Sequence, residues 1–255
     1  MDLQLSGKVA IVTGGSKGIG RAVAMAMLRE GAAVLVCARG QAALDETAAL
    51  AAPLGGRLLT MQADLTQQEA AGATAARCLE AFGRIDILVN NAGSARRGPF
   101  LQLSDQAWLD DWTLKFFGFV RMARAVYPHM KERGQGVIVN VIGNGGLMPS
   151  ANYMIGGAIN AALNHFTKAL ADEGVSHGVR VVGVNPGAVL TDRFEHRIGP
   201  NDDREEIYRQ CTPMGRPAMP EEVADLVLFL ASERARFITR SNVTIDGGHN
   251  NGLMG

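Results

Sequence analysis

The chain alternates short apolar segments with longer Ala- and Leu-rich segments, and this alternation constrains its fold more than any other feature. The apolar segments predict seven strands, at residues 9–13, 33–38, 57–62, 86–90, 136–142, 179–184 and 242–245. The segments between them predict helices near residues 18–30, 41–52, 66–82, 104–132, 151–174, 203–211 and 220–232. Apolar strands that alternate with helices are typical of parallel sheets buried on both faces. We therefore predict a doubly wound α/β fold of the Rossmann type, with a seven-stranded parallel sheet and helices on both faces.

Length and composition limit the remaining possibilities. With 255 residues the chain can form one large domain, whereas two would be cramped, so residues 1–255 are expected to form a single domain. Apolar residues make up 47% of the chain, which excludes disorder. No apolar run reaches membrane-spanning length, and residues 1–8 lack the pattern of a signal peptide, so we expect no membrane partner and a cytoplasmic location.

Charge and cysteine content exclude two further classes of site. The formal net charge is zero, and Lys and Arg are scattered rather than gathered in a stripe, so no nucleic-acid partner is expected. The three cysteines, Cys37, Cys78 and Cys211, include no pair at metal-ligand spacing, so no metal site is expected.

A glycine-rich loop follows the first predicted strand directly. It reads Thr13-Gly14-Gly15-Ser16-Lys17-Gly18-Ile19-Gly20 and leads into the first predicted helix. Glycines permit a tight turn and close approach of the backbone to a ligand, and the helix N-terminus offers unpaired N–H groups to a pyrophosphate. The preceding strand, the helix and the second strand are the context that such a loop requires. The sequence therefore predicts a dinucleotide site.

Four motifs in order make the chain resemble the short-chain dehydrogenase/reductase family. They are the loop at 13–20, Asp64-Leu65, Asn90-Asn91-Ala92-Gly93, and Asn185-Pro186-Gly187 followed by Val189 and Thr191. The segments at 220–224 and 246–248 extend the likeness to the end of the chain. The resemblance implies that a nicotinamide cofactor is bound by Gly14, Ser16, Lys17, Gly18, Ile19, Gly20, Asp64, Leu65, Asn91, Ala92, Gly93, Pro186, Gly187, Val189 and Thr191.

The end of the second predicted strand indicates which dinucleotide is preferred. An acidic residue there would accept hydrogen bonds from the ribose hydroxyls and repel a 2′-phosphate, whereas this chain has Ala38 followed by Arg39. Lys17 adds a second cation, in a place where NADP-preferring members of the resembled family often carry one. We therefore expect NADP(H) to be favoured over NAD(H).

The catalytic motifs of the resembled family are incomplete in this chain. A Ser is expected after the fifth strand, where Ile142 and Gly143 stand, and the family's Tyr-x-x-x-Lys is broken because Gly157 lies four residues after Tyr153. One alignment gives Tyr153 the place of the family's Tyr, but inserts three residues into a helix. The gap-free alignment places Gly143 at the Ser, Gly156 at the Tyr and Asn160 at the Lys. We favour the second, because helix packing tolerates insertions poorly.

A lysine occupies the remaining catalytic position. Lys115 stands where the resembled family has an Asn, so Lys and Asn have exchanged places between residues 115 and 160. Burial of Lys115 among Leu114, Phe116 and Phe117 would be costly unless the lysine is paired or functional; the alternative is a lysine that reaches solvent. Tyr153 is expected to share a helical face with residues 156 and 160, and a structural role for it remains an alternative.

These observations predict an NADP(H)-dependent oxidoreductase that acts on a small or medium alcohol or carbonyl compound. In this hypothesis Tyr153 is the acid–base group, with Lys115 and Asn160 in support. A dinucleotide-binding protein without redox turnover, or a non-redox lyase or isomerase, remains an alternative because the usual motifs are incomplete. The polar segment at 192–217 is expected to form a substrate lid.

We also expect a homo-oligomer, with a tetramer implied by the resemblance. The predicted helices at 104–132 and 151–174 carry more apolar residues than one face of a sheet can cover. These residues include Phe116, Phe117, Phe119, Ala158 and Ile159.

Overall fold

The computed structural model describes residues 1–249, and its strands form a seven-stranded sheet. The strands are β1 (Val9–Thr13), β2 (Ala33–Ala38), β3 (Leu58–Gln62), β4 (Ile87–Asn90), β5 (Gly136–Val141), β6 (Val179–Pro186) and β7 (Asn242–Ile245). Their order is β3-β2-β1-β4-β5-β6-β7, and all neighbouring pairs are parallel. The direction of the chain across the sheet reverses between β1 and β4, so a ligand crevice is expected at the carboxyl ends of these strands.

Nine α-helices lie in the part of the chain that the structure describes. They are α1 (Gly18–Arg29), α2 (Gln41–Ala51), α3 (Ala70–Phe82), α4 (Asp105–Asp111), α5 (Phe117–Glu132), α6 (Met154–Gly174), α7 (Asp192–Glu195), α8 (Arg204–Gln210) and α9 (Pro220–Ala231). No helix among residues 1–249 is long and apolar enough to cross a membrane.

The sheet is buried on both faces because successive strand residues point to opposite sides. In β1, Ala10 and Val12 join a core with residues of α1, α2 and α9, whereas Val9 and Ile11 join a second core with residues of α3, α5 and α6. The doubly wound α/β fold with helices on both faces is thereby confirmed.

Four helical features differ from the predictions, and the first is the helix predicted over 66–82, which begins only at Ala70. The helix predicted over 104–132 is divided by a π-helical turn, Trp112–Phe116, between α4 and α5. Such a turn contains one more residue than an α-helical turn, and π-turns are common at functional sites. The helix predicted from residue 151 begins at Met154, because the N–H of Tyr153 closes a turn on the carbonyl of Ser150. Helix α7 was not predicted.

Part of the apolar surface assigned to an oligomer interface lies inside the chain. Phe119 and Ile159 are buried together with Ile142 and Ile155 in a third apolar cluster. Naming Phe119 and Ile159 as surplus surface was therefore wrong, because α6 packs against the helices before β5 and covers both residues. Phe117 does remain exposed.

Candidate active site

The glycine-rich loop has a backbone that only glycine adopts easily. Gly14 and Gly18 have φ values of +64° and +51°, in the left-handed region that side chains disfavour. Gly20 is required for a different reason, since a Cβ there would lie 2.5 Å from the amide nitrogen Nδ2 of Asn91. The loop can therefore bring its backbone close to a ligand.

The N-terminus of α1 is open at this loop. The residue before the helix, Lys17, makes no side-chain hydrogen bond to the first N–H groups; its Nζ lies 3.3 Å from Oδ2 of Asp192 instead. A phosphate would satisfy free N–H groups at a helix N-terminus. The loop and helix together fit the pyrophosphate of a dinucleotide.

Two other predicted cofactor segments adjoin the loop. Thr13 Oγ1 accepts hydrogen bonds from the N–H groups of Asn91 and Ala92 at 2.9 and 3.0 Å, and Asn91 Nδ2 donates to the carbonyls of Thr13 and Gly14. A Cβ at Gly18 would lie 3.1 Å from the Thr191 side chain. The structure therefore places β1, β4 and the segment after β6 around the same loop.

The remaining predicted cofactor residues lie at the same edge of the sheet. Asp64 accepts hydrogen bonds from the N–H and the hydroxyl of Thr66 and so holds the turn after β3. Arg39, which directly follows β2, is exposed, and its carbonyl accepts a hydrogen bond from Gln62. The others are buried or half-buried in these turns, namely Ser16, Ile19, Leu65, Gly93, Pro186, Gly187 and Val189.

Lys115 lies in the π-helical turn and is 7% exposed. Its Nζ donates to Oδ1 of Asn160 at 2.6 Å and to the carbonyl of Ile142 at 2.7 Å. Asn160, on α6, is buried as well. Burial, followed by the charge of Arg193, lowers the pKa of Lys115 to about 7. The structure thus brings Lys115 and Asn160 into direct contact, with a lysine amino group that can take up or release a proton near neutral pH.

The sequence predicts that Tyr153 lies on one helical face with residues 156 and 160, but Tyr153 lies before the first residue of α6. It precedes α6 with φ −140° and ψ 38°, and its side chain lies over Gly156. A Cβ at Gly156 would fall on the Tyr153 ring, 2.5 Å from the hydroxyl oxygen, and one at Gly145 would lie 3.0 Å from two ring carbons. The tyrosine reaches this position from the turn before the helix, because both glycines leave room for its ring.

Three arginines beside these residues were missed by sequence reasoning. The Arg97 guanidinium stacks on the Tyr153 ring, with its carbon Cζ 4.3 Å from the ring centroid. Arg193 donates to the carbonyl of Gly93 at 2.9 Å, and Arg197 donates to the carbonyl of Arg193. No sequence signal joins them, because the segments that carry them, 94–100 and 192–217, are far apart in the sequence.

The fold and the loop are those of a dinucleotide-binding α/β protein, and comparison with known proteins specifies the family. Residues 14–250 match the family model described as enoyl-(acyl carrier protein) reductase. The 3-oxoacyl-[acyl-carrier-protein] reductase of Vibrio harveyi is 35% identical over 96% of this chain and 98% of its own. The 7alpha-hydroxysteroid dehydrogenase of Escherichia coli strain K12 is 31% identical over 97% and 96%. The chain belongs to the short-chain dehydrogenase/reductase family.

Solved structures agree with this assignment. L-sorbose reductase from Gluconobacter frateurii, complexed with NADPH and L-sorbose, superposes with a TM-score of 0.92, at 34% identity over 98% of each chain. A 7alpha-hydroxysteroid dehydrogenase complexed with NADH and 7-oxo glycochenodeoxycholic acid also gives 0.92, at 31% identity over 97% of this chain and 96% of that one. This similarity supports a redox function with a nicotinamide cofactor.

Proposed function

We propose that the protein is an NADP(H)-dependent oxidoreductase that interconverts the alcohol and carbonyl forms of a small or medium-sized compound, using an active site atypical of its family. The observation that carries this proposal is the buried Lys115, hydrogen-bonded to Asn160 at the carboxyl edge of the sheet. A buried lysine with a pKa of about 7 is well suited to proton transfer at neutral pH. The relatives with known substrates are reductases and dehydrogenases, which supports the same chemistry here.

The residues around Lys115 have complementary tasks in this proposal. A bound nicotinamide supplies or accepts the hydride, while the protein must hold and move the proton. An ammonium group has three N–H donors; two of those on Lys115 are held by Asn160 and Ile142, which leaves one for the reacting oxygen or for the Tyr153 hydroxyl. Tyr153 stays a candidate proton donor. Its hydroxyl makes no hydrogen bond to another group in residues 1–249.

The preference for NADP(H) rests chiefly on Arg39. This arginine is exposed at the end of β2, and its guanidinium makes no ion pair among the described residues. Ala38 provides no carboxylate that would repel a phosphate. Lys17 contributes less, because it already faces the carboxylate of Asp192.

Helices α7 and α8 form one unit that we infer to be part of a substrate lid within residues 192–217. Glu195 of α7 pairs with Arg204 and accepts a hydrogen bond from Tyr208 of α8, whose ring packs against Phe194 with 5.9 Å between centroids. The bond from Arg193 to the carbonyl of Gly93 holds α7 over the site. The same segment therefore provides a cover and side chains for specificity.

Steady-state kinetics on a panel of carbonyl compounds, together with NADPH binding, tests the proposed function. Lys115→Ala should lower turnover by about 100-fold or more, the scale of lost acid–base catalysis, with a nearly unchanged Kd for NADPH. Tyr153→Phe should act similarly if that phenol donates the proton. Lys168→Ala, which removes an exposed lysine of α6, is the matched control and should be neutral.

Two results would overturn the proposal. Near-normal turnover in Lys115→Ala would show that the buried lysine is structural. Tight NADPH binding without turnover of any carbonyl or alcohol would favour the alternatives, a binding protein without redox turnover or a non-redox lyase or isomerase.

We further infer a homo-oligomer, with a tetramer as the expected form. Leu109 of α4 is 61% exposed and Phe117 of α5 is 45% exposed, an apolar exposure that a second copy would cover. Light scattering at micromolar concentration checks this inference, and a mass of only one chain, 27.0 kDa, would contradict it.

A further inference from the structure

Three arginines, Arg97, Arg193 and Arg197, lie together beside the two proposed proton-transfer residues; we call them the arginine cluster. Arg97 stacks on Tyr153. Arg193 bonds to the carbonyl of Gly93, and Gly93 adjoins the Lys115 side chain, since a Cβ there would lie 2.6 Å from Lys115 Cγ. Arg197 is one helical turn beyond Arg193 and donates to its carbonyl. The cluster therefore flanks Lys115 and Tyr153.

None of the three guanidinium groups forms an ion pair with a carboxylate in residues 1–249. The adjacent Arg96 differs, because it pairs with Asp110 and Asp111. The nearby acidic residues are engaged elsewhere: Asp192 faces Lys17, and Glu195 pairs with Arg204. The described residues thus supply no carboxylate to balance the charge of the cluster; the Arg197 guanidinium lies over the Phe194 ring, 5.3 Å from its centroid.

The cluster also carries an electrostatic cost. Burial, with the charges of Arg97 and Arg193, lowers the pKa of the Arg197 guanidinium. Arg193 is likewise the charge that adds to burial in lowering the pKa of Lys115. Like charges this close destabilise each other, and an anion between them would relieve the repulsion.

Resting on the proposed function, we propose that the substrate carries an oxyanion group, a carboxylate or a phosphate, and that Arg97, Arg193 and Arg197 bind it while its carbonyl or hydroxyl faces Lys115. A guanidinium presents paired N–H donors that match both kinds of oxyanion. Since Arg193 and Arg197 lie on α7 and directly after it, binding of the anion would also hold the lid segment against the 94–100 segment. This subsite would make the enzyme specific for acidic substrates over neutral ones.

The test compares matched acidic and neutral substrates. An oxo acid is measured against its methyl ester, and a phosphorylated ketose against the free ketose, with wild type and with Arg97→Gln, Arg193→Gln and Arg197→Gln. In the arginine variants KM for the acidic member should rise about tenfold or more, the effect of one lost charged hydrogen bond. The neutral member should change less than about twofold, and the two acids show which oxyanion is preferred. Arg96→Gln and the remote, exposed Arg236→Gln are the controls.

Two outcomes would overturn the subsite. One is equal kcat/KM for the acidic and neutral members in wild type, or equal losses for both in the variants. The other is a selective rise of the Kd for NADPH in the variants, which would assign the arginines to the cofactor. If no substrate is turned over, the proposed function fails separately. Binding of the oxo acid and the phosphate to the NADP+ complex, measured by calorimetry with the same variants, then supports the subsite if it depends on the three arginines and overturns it otherwise.

Discussion

The two halves of the carboxyl edge of the sheet are built by different means. Around β1 the site consists of backbone: positive φ at Gly14 and Gly18, an open helix N-terminus, and peptide groups tied by Thr13 and Asn91. Beside β5 it depends on side chains, with Lys115 reaching Asn160 and the carbonyl of Ile142 from a neighbouring helical turn. A backbone site requires particular residues at particular positions, whereas a side-chain site requires only that the atoms meet. We therefore expect the backbone half to keep its residues more strictly than the side-chain half.

The largest effect is expected where the backbone half is disrupted. Gly20→Ala would place a Cβ 2.5 Å from Asn91 Nδ2 and against the carbonyl of Gly14, so the Kd for NADPH should rise about 100-fold, or ~3 kcal/mol, the upper range of overpacking. Gly72→Ala is the matched control in α3, where a Cβ meets no atom within 4 Å. It should leave binding unchanged and stabilise the fold by about 0.5–1 kcal/mol. Normal NADPH binding by Gly20→Ala would contradict the view that this half of the site depends on the close approach of its backbone.

The side-chain half should tolerate an exchange that the backbone half could not. Lys115→Asn alone should lower turnover by about 100-fold, whereas adding Asn160→Lys should recover about tenfold of that loss, because the cation then arrives from α6. The turnover rates of the wild type, both single variants and the double variant form a double-mutant cycle that measures this recovery. No recovery in the double variant would show that the lysine must come from residue 115 and cannot be replaced by one at residue 160.

Arg39 tests specificity at the nucleotide end, with a smaller effect. Removing its guanidinium in Arg39→Ala should weaken NADPH about tenfold, the scale of one charged hydrogen bond, and leave NADH within about twofold. Fluorescence titration with both cofactors measures this. Arg29→Ala, an exposed arginine in the last turn of α1, is the control. Equal losses of affinity for both cofactors would show that Arg39 does not interact with the 2′-phosphate.

The last effect concerns stability rather than binding or turnover. The pKa of Lys115 falls from its ordinary value of 10.5 to about 7 in the folded protein, so between these values the unfolded chain binds more protons than the folded one. Relative to Lys115→Met, the wild type should therefore gain unfolding free energy as the pH rises from 7 to 9, by about 1 kcal/mol per pH unit. Urea unfolding of both proteins at several pH values measures this difference, and parallel curves would mean that burial does not disturb the lysine.

Most of the fold followed from periodicity, and the exceptions have local causes. The predicted strands agree with the observed ones within two residues, since apolar runs bounded by glycine or polar residues mark buried strands clearly. The π-helical turn was missed because one extra residue in a turn leaves the apolar pattern of Trp112–Phe116 nearly unchanged. The predicted start of α6 at residue 151 was too early. The turn before the helix is closed by a backbone hydrogen bond from Tyr153, which the apolar pattern does not reveal.

The candidate site was predictable where residues belong to one motif or one alignment. The gap-free alignment predicted that Lys115 and Asn160 act together, and the structure puts them in contact; their catalytic roles stay predictions. The arginine cluster could not be anticipated, because nothing in the local sequence indicates that residue 97 lies close to residues 193 and 197. Such proximity depends on how the loops fold over the sheet.

The position of the Tyr153 ring restricts the order in which this site can change. Because the ring fills the space that a side chain at residue 156 would need, Gly156→Tyr by itself would force two aromatic rings into one volume. On the gap-free alignment, which gives residue 156 the place of the family's tyrosine, a route to that tyrosine would first remove Tyr153 and pass through a protein with neither phenol. On that alignment an intermediate without either phenol separates the two arrangements, so single substitutions selected one at a time for activity would preserve the present one.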